Sequence, residues 1–488
     1  MGTGNDKMKI ADLKQLYREC DTFFICSTQN QIVNFIPIVN MLEAKAEGEK
    51  KSEFVSDVTL YNLTYSTDAR FSNNKWNENL NKIIWDKKGE LFKKNPDLSI
   101  GYSKIDNKGD SPDKIAINVD LDREYSEDYY NNIIKHIEGK KNIIWNLTGG
   151  QRSVLLTVLK IIEDQSSEEQ NHTILYMEGN TNRFVVGTYE KGEKKGIYYR
   201  ELDTIYGWEH LTIEMVFGLA GFQAQCSKAI RLYKNQMGKK GIMKKVAKES
   251  PYDEELCSER EDIKKFYEYY KTYDLVESLL ETQNDKTSEI AEKERGKIWQ
   301  ELENIEKKDD VDRCKSRLEG IGGKTKYKLG YWLEYMLYYQ LEMIIKDEEK
   351  YQNYFLELGH SVKLDKENQE EEEKKEKEKF SEFDVVLLSK SGQIIIFECK
   401  TGAITSEVSK ARIYTSYAAA GVYGTPILIP PYLNDDENDK VQNASEGVWG
   451  KMNKTRKAAE RAGMDIWYLD TLKEDIDELY KEVGLVEE

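Results

Sequence analysis

The chain is poor in the residues that build small stapled or zinc-held folds. Six cysteines (Cys20, Cys26, Cys226, Cys257, Cys314 and Cys399) lie scattered through 488 residues with no CxxC pair, and only four histidines accompany them. Structural zinc ligands come in close pairs, so this usage argues against such a site. It fits reduced thiols in a cytoplasm better than a disulfide framework. No run of about 18 apolar residues is present, so no membrane-spanning helix is expected. The polar stretch Met1 to Lys9 lacks the apolar core of a signal peptide. Positive charge is also short: the formal net charge is −17. That argues against coating a polyanion by bulk attraction. It leaves open an enzyme whose acidic site takes its positive charge from metal ions.

What is present is alternation. Thr22 to Cys26 (TFFIC) is a short apolar run of the kind buried in parallel sheets. Further strands are expected at Val58 to Leu63, Lys114 to Val119, Asn142 to Trp145 and Thr173 to Met177. Helical segments separate them, which indicates a doubly wound parallel sheet. Arg183 to Gly187 and Gly196 to Arg200 read as an appended hairpin. From about Thr212 the pattern turns helical, and residues 224–320 contain a single proline, Pro251. Arg231 to Lys248 carries seven basic residues and no acid. A solvated helix face and a phosphate-contacting patch both fit it. The spacing of Leu329, Trp332, Leu333, Met336, Leu337 and Ile344 predicts an amphipathic helix over 328–345. The charged run at 366–379 has no apolar residue and reads as a loop. Three regions follow: 20–205, an α/β unit; 206–322, a helical connector or inserted helical domain; and 323–488, a second α/β unit.

The second unit holds the strongest chemical pattern. Val385 to Leu388 and Ile394 to Phe397 are apolar strands joined by a turn at Ser389 to Gly392. Asp384 opens the first strand; Glu398 and Lys400 end the second. Period-two alternation puts Glu398 and Lys400 on one face. Asp384 and Glu398 together could hold a hard divalent cation through oxygen. Register constrains this reading: a two- or four-residue loop would set Asp384 opposite Phe397. An odd loop, a bulge, or Asp384 just off the ladder is required. Glu334, the lone acid between Glu319 and Glu342, sits beside the apolar stripe of the preceding helix. An exposed helix glutamate and a metal-facing one both fit it. By itself D-x13-E-x-K is a common chance match, and an ordinary surface ribbon with a salt bridge is the bland alternative.

The first unit carries a glycine turn, Asn146-Leu-Thr-Gly-Gly-Gln-Arg152, between a strand and a helix. Glycines let a ligand approach the backbone closely, and the helix start offers free N–H groups to phosphate. The turn is neither GxxxxGK[ST] nor GxGxxG. Ser27-Thr-Gln-Asn-Gln31 follows the first strand, so both turns belong to the carboxyl edge of the sheet.

Gly330-Tyr-Trp-Leu-Glu334, Glu382-Phe-Asp384 and Phe397-Glu-Cys-Lys-Thr-Gly402 resemble the PD-(D/E)xK nucleases attached to CARF sensor domains in type III CRISPR systems, over roughly residues 325–470. Gly421 to Gly424 resembles that family's glycine turn. The 146–152 turn resembles the N-x-T-G-G-[TQ]-[KR] turn of CARF domains, over roughly residues 20–200, with Gln151 and Arg152 where Thr and Lys are common. The resemblance implies a Rossmann-like CARF domain followed by a restriction-endonuclease-like α/β domain. It implies catalytic roles for Glu334, Asp384, Glu398 and Lys400, with the three acids holding Mg²⁺ or Mn²⁺. It implies a homodimer whose Ser27, Thr28, Gln29, Asn146, Thr148, Gly149, Gly150, Gln151 and Arg152 bind a cyclic oligoadenylate. The tetra-adenylate is the expected ring and the hexa-adenylate the other candidate. The expected substrate is RNA or DNA, single-stranded first, with exposed aromatics such as Tyr417 stacking on bases. The rival readings are a constitutive DNA endonuclease, a non-catalytic sensor that regulates transcription, and a sensor that cuts its own ring.

Overall fold

The computed structural model describes residues 7–26, 28–47, 57–64, 76–84, 99–101, 117–120, 127–150, 152–165, 169–178, 183–190, 196–232, 252–272, 275, 296–300, 302–304, 306–322, 329–366, 379–402, 404–421, 424–434 and 440–482. Ser27, Gln151, most of the basic run after Arg231 and the charged run at 367–378 lie outside the described residues.

The first sheet contains β1 (Thr22–Cys26), β2 (Asp57–Thr64), β3 (Ser99–Gly101), β4 (Ile117–Asp120), β5 (Asn142–Asn146), β6 (Asn171–Met177), β7 (Phe184–Glu190) and β8 (Gly196–Glu201). Its order is β3-β2-β1-β5-β6-β7-β8, with β4 also pairing β2. β1 runs parallel to β2 and β5, and β5 parallel to β6; β7 and β8 add the expected antiparallel hairpin. All five residues of β1 are buried, because helices cover both faces of the sheet. The chain leaves β1 toward β2 and returns to β5 on the other side. The strand order therefore reverses between β1 and β5, and residues 28–31 and 147–150, which follow those strands, meet there.

The second sheet contains β9 (Phe222–Arg231), β10 (Phe355–Lys366), β11 (Lys379–Ser389), β12 (Ile394–Cys399), β13 (Gly424–Ile429) and β14 (Asp465–Ile466). The order is β14-β13-β12-β11-β10-β9. β9 to β12 are antiparallel; β13 and β14 continue in parallel. The expected fold class, two α/β units with helices between, is borne out.

The span 206–322 is not wholly helical, however. After the Ile213–Leu219 helix it supplies β9, an edge strand of the second sheet. Gln223, Gln225 and Ser227 on its outer face left too weak an apolar signal, and pairing with β10 more than a hundred residues later decides its conformation. The helices Tyr252–Thr272 and Lys308–Gly322 are the helical part. They pack on the Leu329–Asp347 helix, with Phe266 edge-on to Trp332 at 4.9 Å.

The two sheets share one core. Phe23, Ile25, Phe35 and Ile36 of the first unit pack in the same cluster as Val362, Phe383, Val386 and Ile396 of the second. Separate clusters cover the outer face of each sheet. Burying one common apolar layer fixes the two units against each other. Among the described residues no helix is long and apolar enough to cross a membrane.

Candidate functional site

The β11–β12 turn is Lys390-Ser391-Gly392, a loop of odd length. Ser389 N donates to Gln393 O at 2.9 Å, and Gly392 has φ 86°, the left-handed conformation such a turn needs. Val385 pairs with Phe397 and Leu388 with Ile394. One further step along this register sets Asp384 opposite Glu398, so the sequence requirement is met.

Face alternation then inverts at Asp384. Val385 and Leu387 enter the outer core, whereas Phe383 enters the core shared between the sheets. β10 does the same opposite it: Leu358 lies in the outer core, Val362 in the shared core, and between them Ser361 has φ 48°. Ser361 is the one non-glycine residue with positive φ among the described residues. Such strain persists where neighbouring structure over-determines it, and it marks functional sites. The inversion turns the Asp384 carboxylate to the strand end, where its Oδ2 accepts from Cys399 N at 2.8 Å.

The resulting cluster is crowded with charge. Lys400 Nζ lies 2.8 Å from Glu398 Oε2 and 3.6 Å from Asp384 Oδ2. Arg412 Nη1 lies 3.4 Å from Glu398 Oε1. Glu398 is 2% exposed, and neither carboxylate oxygen accepts a well-formed hydrogen bond. Burial first, then Glu398, raises Asp384 well above the ordinary carboxylate range, against the pull of Lys400. Burial would lower Lys400, but Glu398 and then Asp384 outweigh it and raise it. Two buried carboxylates that repel each other suit a cation. Among the described residues, no three His, Cys, Asp or Glu side chains gather closely enough to hold a metal. The oxygen pair Asp384 and Glu398 is assembled, and Glu334 stands apart from it. Glu334 Oε2 lies 3.5 Å from His360 Nε2, and its charge contributes to raising Asp384.

Arg412 and His360 were not singled out by the sequence. Arg412 sits on the Ser406–Ala420 helix, whose N-cap Thr405 accepts from Val408 N. It also donates to Ser381 Oγ and Glu382 O, both at 3.3 Å. Only the basic character of that helix hinted at it. Ser381, Glu382, Asp384, Arg412 and Thr415 line an open cleft of 490 Å³. Tyr414 and Tyr417 on the same helix are 74% and 50% exposed.

At the first sheet's carboxyl edge the named residues divide. Asn146 is fully buried. Its Nδ2 donates to Val33 O at 2.8 Å and Asn34 Oδ1 at 3.0 Å, and its Oδ1 accepts from Thr148 Oγ1 at 2.9 Å. Thr148 Oγ1 in turn accepts from Met177 N at 3.0 Å. These hydrogen bonds hold the turn in one shape. Gly149 and Gly150 seat the turn against Thr28 and Cys26, and Gly150 has φ 89°. Gln29 and Arg152 are exposed, and Arg152 opens its helix.

This edge also touches the second sheet. A methyl group on Gly392 would overlap Ile32, and one on Gly421 would press on Asn30 at 3.1 Å. Gly421 ends the helix that carries Arg412. Trp208 N donates to Lys390 O at 3.0 Å on the other side of the turn.

Fold and site together define a two-unit α/β chain: a doubly wound sheet fused to a mixed sheet with a carboxylate–lysine cluster. No family model matches the chain, and neither does any curated protein. Solved structures do. The crystal structure of protein VC1899 from Vibrio cholerae is similar with TM-score 0.54 and 12% identity, over 95% of this chain and 98% of that one. Can2 from Sulfobacillus thermosulfidooxidans, in complex with cyclic tetra-adenylate, is similar with TM-score 0.50 and 12% identity, over 96% and 99%. At that identity the likeness is one of fold.

Proposed function

We propose that this chain is a nuclease activated by a cyclic oligoadenylate and dependent on a divalent metal. The observation that carries the reading is the register of Asp384 on Glu398 with Lys400 beside both. The fold shared with Can2, a protein bound to cyclic tetra-adenylate, supports the sensor half.

Asp384 and Glu398 would hold Mg²⁺ or Mn²⁺, with Glu334 approaching from its helix. A bound dication lowers the pKa of water and polarises a phosphoryl oxygen. Lys400 orients the attacking water and offsets charge that builds on the phosphate oxygens. Arg412 faces the same cleft and offers the planar donor pair that suits a phosphate. Tyr414 and Tyr417 give single-stranded RNA or DNA surfaces to stack on. In a homodimer each subunit would give the ring ligand one copy of both turns, an isologous site. Ligand held by Gln29, Arg152 and the glycine backbone would bear on Asn30 and Ile32. Those residues abut the hairpin turn and the helix that carry the nuclease residues, so one rigid shift biases both sites.

The test is cleavage of labelled RNA, single-stranded DNA and plasmid with Mn²⁺, with and without each cyclic oligoadenylate. Ligand-dependent cleavage that Glu398→Ala abolishes is expected. No cleavage under any combination rejects the reading; equal cleavage by Glu398→Ala rejects the site; cleavage independent of the ring leaves a constitutive endonuclease.

A further inference from the structure

We infer that Arg412 is a positioning residue that governs access to the Asp384–Glu398 pair. It stands in for a cation at Glu398 and must leave before that carboxylate can take a divalent ion. The far end of its helix rests on the first turn of the sensor sheet, so ligand binding there is the event that moves it. This rests on the nuclease reading and deepens it by naming how the site is regulated.

Glu398 is covered by two cations of different origin. Lys400 Nζ lies 2.8 Å from Oε2, and Lys400 follows Glu398 by two residues, so it moves with it. Arg412 Nη1 lies 3.4 Å from Oε1 and comes from a separate element, the Ser406–Ala420 helix. The same nitrogen serves Ser381 Oγ and Glu382 O, each at 3.3 Å. Three oxygens thus share one nitrogen, all outside the usual N–H···O range of about 2.7–3.2 Å. Firm charge-assisted bonds are shorter still, at about 2.7–2.9 Å. Charge places the guanidinium at Glu398 without locking it there. The Glu398 side chain is 2% exposed and that of Arg412 is 34% exposed, so only the cation has a path to solvent.

A guanidinium on Oε1 and a dication between Asp384 and Glu398 repel each other strongly. With Arg412 withdrawn, the two carboxylates are an open oxygen pair. Mg²⁺ is commonly held by one or two carboxylates with water completing its shell. The inference therefore needs no third acid, and among the described residues none gathers there.

The helix reaches the other unit at Gly421, nine residues beyond Arg412 and about 13 Å along the axis. A methyl group on Gly421 would meet Asn30 Cβ and Nδ2 at 3.1 Å. Asn30 Oδ1 accepts from Ile32 N at 3.4 Å, but its Nδ2 is buried without an acceptor. The helix end is thus packed on Asn30 with no hydrogen bond from that amide to pin it. A shift of residues 28–31 is passed along a rigid helix to Arg412.

Electron paramagnetic resonance titration of Mn²⁺ into the full chain, without nucleic acid, tests this independently of cleavage. In the wild type, cyclic tetra-adenylate should raise Mn²⁺ affinity about tenfold. Arg412→Ala should bind Mn²⁺ about tenfold or more tightly without the ring, and the ring should add little. Arg412→Gln, which keeps the bulk of the side chain, should do the same and serves if the alanine variant fails to fold. Arg412→Lys keeps the charge and should stay near wild type. Equal or weaker Mn²⁺ binding on loss of the charge overturns the inference and leaves the nuclease reading standing. A ring effect absent from the wild type, or equally large in Arg412→Ala, overturns the coupling to Asn30. No bound Mn²⁺ in any variant overturns both this inference and the metal-dependent nuclease reading.

Discussion

Two strand ends of the same chain treat buried polarity in opposite ways. After β5, Asn146 and Thr148 exchange hydrogen bonds with Val33, Asn34 and Met177 until their polar groups are engaged. After β12, Glu398 is as deeply buried, yet its oxygens find only neighbouring cations, and Asp384 is pushed toward neutrality beside it. A satisfied network is a scaffold: it holds a loop in one shape and presents backbone to a ligand. An unsatisfied one stores unfavourable energy that a bound cation relieves. On the proposed reading, the difference gives shape to the first edge and chemistry to the second.

The sharpest way to break this contrast is Asp384→Asn. The amide still accepts from Cys399 N but removes one of two repelling charges. Cleavage should fall by about 10³-fold or more. Metal-free stability should rise by about 1–2 kcal/mol, a few degrees in Tm, at neutral pH. Loss of stability in a metal-free melt would mean that the carboxylate pair is not frustrated. Asn146→Ala should behave in reverse. It strips Val33 O and Asn34 Oδ1 of a donor and Thr148 of an acceptor, costing about 2–4 kcal/mol in a denaturant titration. Arg152→Ala, on an exposed side chain of the same turn, should leave stability within about 0.5 kcal/mol. It should lose the response to the ring ligand.

Much of this contrast was legible in the sequence, for physical reasons. Apolar runs such as Thr22 to Cys26 and Ile394 to Phe397 are long-range strands whose signal is local composition. The register at Asp384 follows from loop length, and Gly392 supplies the conformation that an odd loop needs. What could not be read was partnership. The residue types of Asn146 and Thr148 suit phosphate, and only the fold shows that they also bond Val33 and Met177. β9 and β10 pair across more than a hundred residues, and their half-buried alternation was too weak to announce it. His360 and Arg412 matter through elements that fold onto the hairpin from either side. The core common to both sheets has no sequence signature at all.

Gly150→Ala probes how tightly the scaffold edge is shaped. Its φ of 89° and a Cβ that would sit 2.7 Å from Cys26 Cβ give the substitution nowhere to go. The expected cost is about 1–3 kcal/mol. Ring-ligand affinity should fall with it, measured by calorimetry, since the 146–152 turn must draw back from Cys26. Unchanged stability would show that the turn is loose and that its glycines serve the ligand alone.

The smallest effect tests whether frustration belongs to the site or to the whole second unit. Asp477 lies in that unit too, on the Leu472–Glu482 helix, and is well served. Lys350 Nζ and Tyr351 OH each lie 2.5 Å from its Oδ1, and Lys473 Nζ lies 3.1 Å from Oδ2. Burial would raise its pKa, but Lys350, Tyr351 and Lys473 together outweigh burial and lower it. A depressed carboxylate contributes stability above its unfolded value, near 3.9, and loses it as pH falls through the folded one. Asp384 is raised, so its sign is opposite: stability increases as pH falls from its folded value toward the unfolded one. Asp477→Asn should therefore cost under about 1 kcal/mol at pH 7, given its solvent exposure, and should flatten only the acid arm of a stability–pH curve. Asp384→Asn should flatten only the arm nearer neutrality. If both variants flattened the same arm, the two carboxylates would share one environment, and the site would have no special claim to strain.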